Sequence, residues 1–178
     1  MKGLVIYKGR YGATKQYAMW IGQELHLPVA SADRFPVDEL PKYDYFIIGS
    51  SVYIGKLEIK KWMKKNLDVL ASKKIFLFQV AATPADQTEK REGYNKVSIA
   101  SDILQRSESY YLPGRMKIKY LSWWDRFMLR MGARLVKDPA EKTKMLTDFN
   151  NVKRENIEPL IKSVQNFTNI YEPEIAYK

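Results

Sequence analysis

The feature that most constrains the fold of this chain is the alternation of short apolar runs with longer segments of helical periodicity. Almost wholly apolar runs occupy residues 4–7, 45–49 and 75–81. Strands that are apolar on both faces are typical of a parallel sheet covered by helices on both sides. Apolar residues recur at helical spacing over residues 13–25 and from about residue 57 to residue 70. The pattern therefore predicts repeated strand–helix units.

Weaker signals complete this pattern. Residues 29–32 predict a second strand and residues 110–118 a fifth, while a last helix is expected over residues 152–170. Together these elements predict an α/β fold with a doubly wound, five-stranded parallel sheet in the order 2-1-3-4-5. The length of 178 residues fits one domain, so we expect residues 1–178 to fold as a unit.

The loop after the first strand, residues 8–14, is the predicted cofactor cradle. Ligands of a doubly wound sheet bind beyond the carboxyl ends of its strands, at the point where the strand order reverses. This loop carries two glycines and leads directly into a helix, whose free N–H groups and dipole favour a phosphate. We expect six of its residues to hold the cofactor: Gly9, Arg10, Tyr11, Gly12, Ala13 and Thr14.

Two further strand ends predict a slot for a planar ring. Small residues there let a flat ring approach the backbone, and Tyr53 offers a stacking face. The expected ring-binding residues are Ser51, Val52, Tyr53, Ile54 and Gly55 after the third strand, and Ala81, Ala82 and Thr83 after the fourth. The three loops together favour a flavin, with either Tyr53 or Ile54 against the ring.

Composition excludes several other chemistries. The chain has no cysteine and one histidine, His26, so we expect no metal site and no thiol catalysis. There is neither a Gly-Lys-Ser/Thr loop for a nucleoside triphosphate nor a GxGxxG loop for a dinucleotide, and the acidic pair of a phospho-receiver domain is missing. Redox chemistry would then be carried by the flavin, with no catalytic side chain.

Motifs spread over most of the chain carry a family resemblance. They are Arg10-x-Gly12-x-Thr14, Ile48-Gly49-x-Ser51 with Gly55, Trp124-Asp125-Arg126-Phe127-Met128, and Thr147-Asp148-Phe149. In these motifs the chain resembles the flavodoxin superfamily and, within it, the menaquinone-dependent protoporphyrinogen IX dehydrogenase family, which has a helical insertion after strand five. The insertion falls at about residues 119–147 here.

That resemblance implies FMN as cofactor, a tetrapyrrole as substrate in haem biosynthesis, and a quinone as electron acceptor. One departure concerns the phosphate loop. Ordinary flavodoxins carry several hydroxyl residues there, whereas this loop has only Thr14 and the phenol of Tyr11. Backbone donors, helped by Arg10 or Lys15, are then expected to hold the phosphate.

Residues 121–137 within the insertion predict an amphipathic helix. Apolar residues recur at helical spacing from Leu121 to Leu135, and arginines recur every four residues on another face. The net charge of +10 is concentrated here, since residues 115–144 hold nine basic and three acidic residues. The residues expected to meet a substrate or a membrane are Trp123, Trp124, Arg126, Phe127, Arg130 and Arg134.

Three interpretations of this helix stay open. Its apolar stripe could pack on the sheet with the arginines in solvent, it could lie on an anionic membrane, or it could hold the carboxylates of a tetrapyrrole. No apolar run is long enough to span a bilayer or to form a signal peptide, so we expect a cytoplasmic protein, peripheral on the inner face of the membrane if the helix binds lipid.

Three classes of function then compete. The first is an FMN-dependent oxidoreductase that passes electrons from protoporphyrinogen IX to menaquinone. The second is a flavodoxin-type electron carrier, against which the strongly basic charge argues. The third is a nucleic-acid-binding protein, which we do not expect because nothing in the strand–helix pattern matches a nucleic-acid module. The pattern does not predict an oligomeric state.

Overall fold

A mostly parallel sheet forms the centre of the computed structural model, which describes residues 1–84 and 86–171. Its strands, with those of a second small sheet, are β1 (Gly3–Lys8), β2 (Val29–Ser31), β3 (Tyr45–Tyr53), β4 (Lys56–Leu57), β5 (Lys74–Ala81), β6 (Glu108–Pro113), β7 (Arg115–Met116) and β8 (Phe149–Asn150). The order β2-β1-β3-β5-β6, with all four pairings parallel, confirms the predicted doubly wound topology. The short strand β4, which pairs antiparallel with β3, is an addition to the predicted five.

Helices flank this sheet. They are α1 (Ala13–Leu25), α2 (Lys60–Lys65), α3 (Leu67–Leu70), α4 (Thr88–Lys96), α5 (Ser101–Arg106), α6 (Trp123–Leu135), α7 (Pro139–Met145) and α8 (Glu158–Tyr171). Short 3-10 helices occupy Val37–Lys42, Ile118–Tyr120 and Arg154–Ile157. Among the helices of the described ranges, none combines the length and the apolar character needed to cross a bilayer.

The central strands are buried on both faces, as their apolar runs predicted. Val5 and Phe76 belong to a core that includes residues of α1 and α8, whereas Leu4 and Ile48 belong to one that includes residues of α2, α3 and α5. Successive side chains of a strand point to opposite faces, so one unbroken apolar run supplies both cores.

The helix predicted over residues 57–70 is wrong in detail, because it is broken at Asn66. The side-chain Nδ2 of Asn66 donates to the carbonyl of Trp62 at 2.8 Å, and its backbone N–H donates to Met63 at 3.1 Å. In a continuous helix the backbone N–H of residue 66 would occupy the Trp62 carbonyl. The side chain takes that partner, which is how asparagine competes with helical bonds.

The fifth strand is also shorter than the predicted 110–118. It ends at Pro113, and after Gly114 the chain forms β7, which pairs antiparallel with β8. Ile118 N–H then donates to Asp148 Oδ1 at 2.8 Å. The pairing of β7 with β8 joins the two ends of the insertion, and we call these two strands the insertion neck. The last helix follows. It begins with the 3-10 turn Arg154–Ile157 rather than at residue 152.

Candidate functional site

Strand register brings the three predicted loops to one edge of the sheet. Lys8 at the end of β1 pairs with Ser50 of β3, and Ser51 pairs with Val80 of β5. The residues that follow these strands therefore emerge side by side, at the point where the strand order reverses. This is the edge at which a doubly wound sheet binds its ligands.

The first loop has the backbone geometry of a phosphate cradle. Gly12 has φ +82°, which favours glycine, and helix α1 starts at the next residue, Ala13, with no side-chain cap. The first N–H groups of a helix have no partners within it, so here they remain available to an anion. A Cβ on Gly9 would lie 2.5 Å from Oγ1 of the buried Thr14, so only glycine fits that position.

An orphaned hydroxyl supports the fit of a polar ligand beside this loop. Ser51 Oγ is buried and has no hydrogen-bond partner in the described part of the chain. It lies 3.4 Å from where a Cβ on Gly9 would stand, so it faces the same loop. Buried hydroxyls are nearly always bonded, and a phosphate or polyol chain laid along the loop would supply the missing partner. The residues present therefore fit the phosphate side of a flavin nucleotide.

Arg10 is directed at the second loop rather than at the phosphate cradle. Its guanidinium carbon lies 3.9 Å from the centroid of the Tyr53 ring. Arg10 also lies 3.6 Å from the carboxylate of Asp125 and 4.0 Å from that of Glu58. Because one face of Tyr53 is covered by this cation, only its other face and edges remain for a ligand.

The turn between β3 and β4 holds a strained residue. Ile54 has φ +45° and Gly55 φ +70°, and together they form the two-residue loop of a hairpin closed by the pairing of Tyr53 with Lys56. Two positive φ angles are typical of such hairpin turns, but a β-branched side chain in this region is a genuine outlier. Ile54 is 66% exposed, so no core contact accounts for the strain.

The insertion is attached to both of these loops through Asp125, which belongs to the Trp124–Met128 motif but was not a predicted site residue. The hydroxyl of Tyr53 donates to its Oδ1 at 2.7 Å, and the hydroxyl of Tyr11 donates to its Oδ2. Burial alone would raise the pKa of Asp125, but these hydrogen bonds and the nearby Arg10 outweigh it, and the pKa is lowered. A carboxylate charged at neutral pH thus joins helix α6 to the first two loops.

Two residues of the third loop already form hydrogen bonds to neighbouring residues. The Ala81 carbonyl accepts a hydrogen bond from Gly114 N–H at 2.8 Å, and Thr83 Oγ1 lies 3.2 Å from the hydroxyl of Tyr94. Ala82 is exposed. Of the three predicted residues after β5, Ala82 is therefore the one left open to a ring.

A family model for the flavodoxin domain matches residues 4–143 of this chain. The chain belongs to the flavodoxin domain family. Membership indicates that the chain binds a flavin.

Curated relatives and solved structures are similar to this chain at low identity. Protoporphyrinogen IX dehydrogenase [quinone] of Escherichia coli K12 is 23% identical over 141 residues, covering 74% of this chain and 78% of the relative. A flavodoxin from the domain Archaea is 21% identical with a TM-score of 0.43, covering 62% of this chain and 85% of the other. Flavodoxin 2 from Bacillus cereus is 23% identical with a TM-score of 0.43, covering 64% and 86%.

In this flavodoxin-domain protein, the large apolar side chains of the helix in the insertion lie outward. Helix α6 runs from Trp123 to Leu135 rather than over 121–137, and the Ser122 hydroxyl caps it by accepting from Asp125 N–H at 3.1 Å. Its inward side holds the polar Asp125, with Leu129, and the buried Ala133. The interpretation that the large apolar stripe packs on the sheet is therefore wrong.

That stripe is instead exposed, together with the neighbouring aromatics. Trp123 is 72% and Leu135 83% exposed, and the other large exposed side chains of this surface are Trp124, Phe127, Met128 and Met131. The rings of Trp124 and Phe127 stack with centroids 5.7 Å apart. Arg126, Arg130 and Arg134 are also exposed. We call this surface of α6 the aromatic–basic face; contiguous exposed apolar patches of this kind mark interaction sites.

Proposed function

We propose that this chain is an FMN-dependent oxidoreductase that takes hydride equivalents from a porphyrinogen and passes electrons to a quinone. The observation that carries the proposal is the attachment of α6 to two flavin loops through Asp125. The name of the Escherichia coli relative states this reaction for protoporphyrinogen IX. Bound FMN would supply the two-electron chemistry, while the residues of the chain bind and orient it.

The position of α6 favours an enzyme over an electron carrier. A carrier that docks on many proteins through its flavin rim needs that rim to be accessible. Here a helix joined to the loops at Tyr11 and Tyr53 carries stacked aromatic rings and an arginine on its exposed side. Such a surface suits an apolar macrocycle that bears carboxylates, because the aromatic rings pack against it and arginine pairs with the acid groups.

The same aromatic–basic face also suits an anionic membrane surface, where the quinone is dissolved. Tryptophan and phenylalanine favour the headgroup region, and arginines next to them pair with acidic lipids. Each arginine near such a surface contributes about 1 kcal/mol, so Arg126, Arg130 and Arg134 together contribute about 3 kcal/mol. We propose peripheral attachment through α6.

The reaction is tested by an anaerobic assay of the purified, FMN-reconstituted protein with protoporphyrinogen IX and a menaquinone analogue. We expect porphyrin fluorescence to grow only when FMN and quinone are both present. A Gly12→Val variant, which should not retain flavin, is the matched control for non-enzymatic oxidation. Absence of porphyrin formation by a protein whose bound flavin is still reduced by dithionite would contradict the enzyme and leave the electron carrier.

Membrane attachment is tested by flotation with anionic and neutral vesicles. Replacing Arg126, Arg130 and Arg134 by glutamine should release the protein from anionic vesicles while FMN binding stays intact. A control with the same change of charge replaces the exposed Lys61, Lys64 and Lys65 by glutamine and should float like the wild type. If the wild-type protein does not float with anionic vesicles, this part of the proposal is overturned.

A further inference from the structure

A basic pocket lies beside the phosphate cradle, on the side of the insertion neck. Its volume is about 360 Å³, within the range of small-ligand sites. The pocket is lined by Tyr11, Arg115, Met116, Lys117, Tyr120 and Leu121. Two of these residues are cations and none is acidic, so the pocket is suited to an anion.

Arg115 is the cation of this pocket that reaches the cradle. Its Nη1 donates to Gln16 Oε1, in the first turns of α1, at 2.7 Å. Its Nη2 lies 3.0 Å from where a Cβ on Gly12 would stand. The guanidinium therefore lies against the turn whose free N–H groups begin helix α1.

This guanidinium has no counter-ion among the residues that the structure describes. Arg115 is only partly exposed, and no carboxylate of the described residues lies within 4.0 Å of it. Arg10, by contrast, is shared between Asp125 and Glu58. Among the described residues, the recorded side-chain partner of Arg115 is the neutral amide of Gln16, so most of its N–H donors remain free for an anion.

The phosphate loop has few hydroxyl groups that could bind a phosphate, and Arg115 could take over their role. Thr14 carries its only aliphatic hydroxyl, and the phenol of Tyr11 is committed to Asp125. A guanidinium can donate two parallel hydrogen bonds to a phosphate, which makes it a stronger partner than a single hydroxyl. One arginine can therefore compensate for the loop hydroxyls that are missing.

We propose that Arg115, carried on β7 of the insertion neck, binds the phosphate of FMN in place of loop hydroxyls. The inference rests on the proposed flavin cofactor. It gives the insertion a role in holding the cofactor, and it makes the affinity for the phosphate depend on a residue 101 positions beyond Thr14 in sequence.

Comparing FMN with riboflavin tests this assignment, because riboflavin lacks only the phosphate. Flavin-free full-length protein is titrated with each ligand, and the dissociation constant is measured from the quenching of flavin fluorescence. Arg115→Gln should weaken FMN at least about tenfold, the loss expected for a hydrogen bond between charged groups, and leave riboflavin unchanged within about twofold. Arg115→Lys should recover part of the loss, because it keeps the charge.

Arg106→Gln is the matched control, since Arg106 lies just before β6, at the opposite edge of the sheet, and should change neither constant. Thermal unfolding of each variant checks the fold. Equal weakening of FMN and riboflavin by Arg115→Gln, or no weakening of either, would overturn the role of Arg115 and leave flavin binding standing. A wild-type protein that binds neither flavin would overturn the cofactor proposal as well.

Discussion

Replacing Asp125 by alanine should detach helix α6 from the flavin loops while the sheet stays folded. The carboxylate of Asp125 is only 9% exposed and accepts hydrogen bonds from Tyr11 and Tyr53. Alanine removes both acceptors and also the partner of Arg10 at 3.6 Å. The strands of the sheet are bonded to one another and do not depend on this contact.

The size of the effect follows from the number and setting of these bonds. A hydrogen bond to a charged group contributes about 1.5–3 kcal/mol. Tyr11 is 39% exposed and can bond to water once released, so the lower value applies to both phenols, giving about 3 kcal/mol. The partly exposed Arg10 pair adds less than about 1 kcal/mol. A loss of about 3 kcal/mol raises the opening equilibrium of the helix roughly 100-fold.

Hydrogen exchange measures this opening directly. A detached helix of 13 residues is marginal in water, so the amides of α6 should exchange roughly 100-fold faster in Asp125→Ala. Amides of β3 and β5 should keep their wild-type rates. Asp102→Ala, which removes an exposed carboxylate on α5, is the matched control. Wild-type exchange of α6 in Asp125→Ala would refute the attachment described here.

The same contact predicts that α6 becomes less protected from hydrogen exchange at acid pH. Burial alone would raise the pKa of Asp125, but the hydrogen bonds from Tyr11 and Tyr53 lower it below its unfolded value of about 3.9. A lowered pKa means that the stabilisation is present above that value and is lost as the pH falls through the folded pKa. Protection of α6 should therefore stay constant from about pH 7 to pH 5 and decline below about pH 4, a step that Asp125→Ala should lack.

Three further substitutions test the loops. Gly12→Val should abolish FMN retention on gel filtration, because φ is +82° and a Cβ would lie 3.0 Å from Arg115 Nη2; a variant that stays yellow would place the phosphate elsewhere. Tyr53→Ala should weaken FMN by about 1 kcal/mol or more, and an unchanged affinity and redox potential would remove Tyr53 from the flavin site. Ile54→Asn should raise the free energy of unfolding by about 1 kcal/mol by relieving left-handed strain, and no gain in urea denaturation would contradict that strain.

Local patterns were sufficient to predict the sheet and the backbone geometry of the first loop. An apolar run such as 45–49 is typical of a strand buried on both faces, and the order 2-1-3-4-5 is a common one for a doubly wound sheet built from such strands. Gly12 before a helix predicted this loop geometry because its requirement is local, a positive φ at one residue. Helix α1 accordingly begins and ends where its spacing predicts, at Ala13 and Leu25.

Contacts between segments far apart in sequence could not be predicted from local patterns. Hydrophobic periodicity left the inward face of α6 undecided, because the helix is oriented by Asp125, a polar residue that such a pattern does not use. The inward position of Ala133 follows from that contact, because it lies eight residues, about two turns, beyond Asp125 on the same face. Likewise, nothing near Arg115 in sequence indicates that it meets Gln16, 99 residues away.

The insertion contributes residues to the proposed cofactor site at two points. Arg115 lies in its neck and reaches the phosphate cradle, while Asp125 lies in its helix and holds the loops that carry Tyr11 and Tyr53. Two attachments at different points fix the orientation of α6 more firmly than either one alone. The orientation of the aromatic–basic face relative to the loops that carry Tyr11 and Tyr53 is therefore fixed by these contacts.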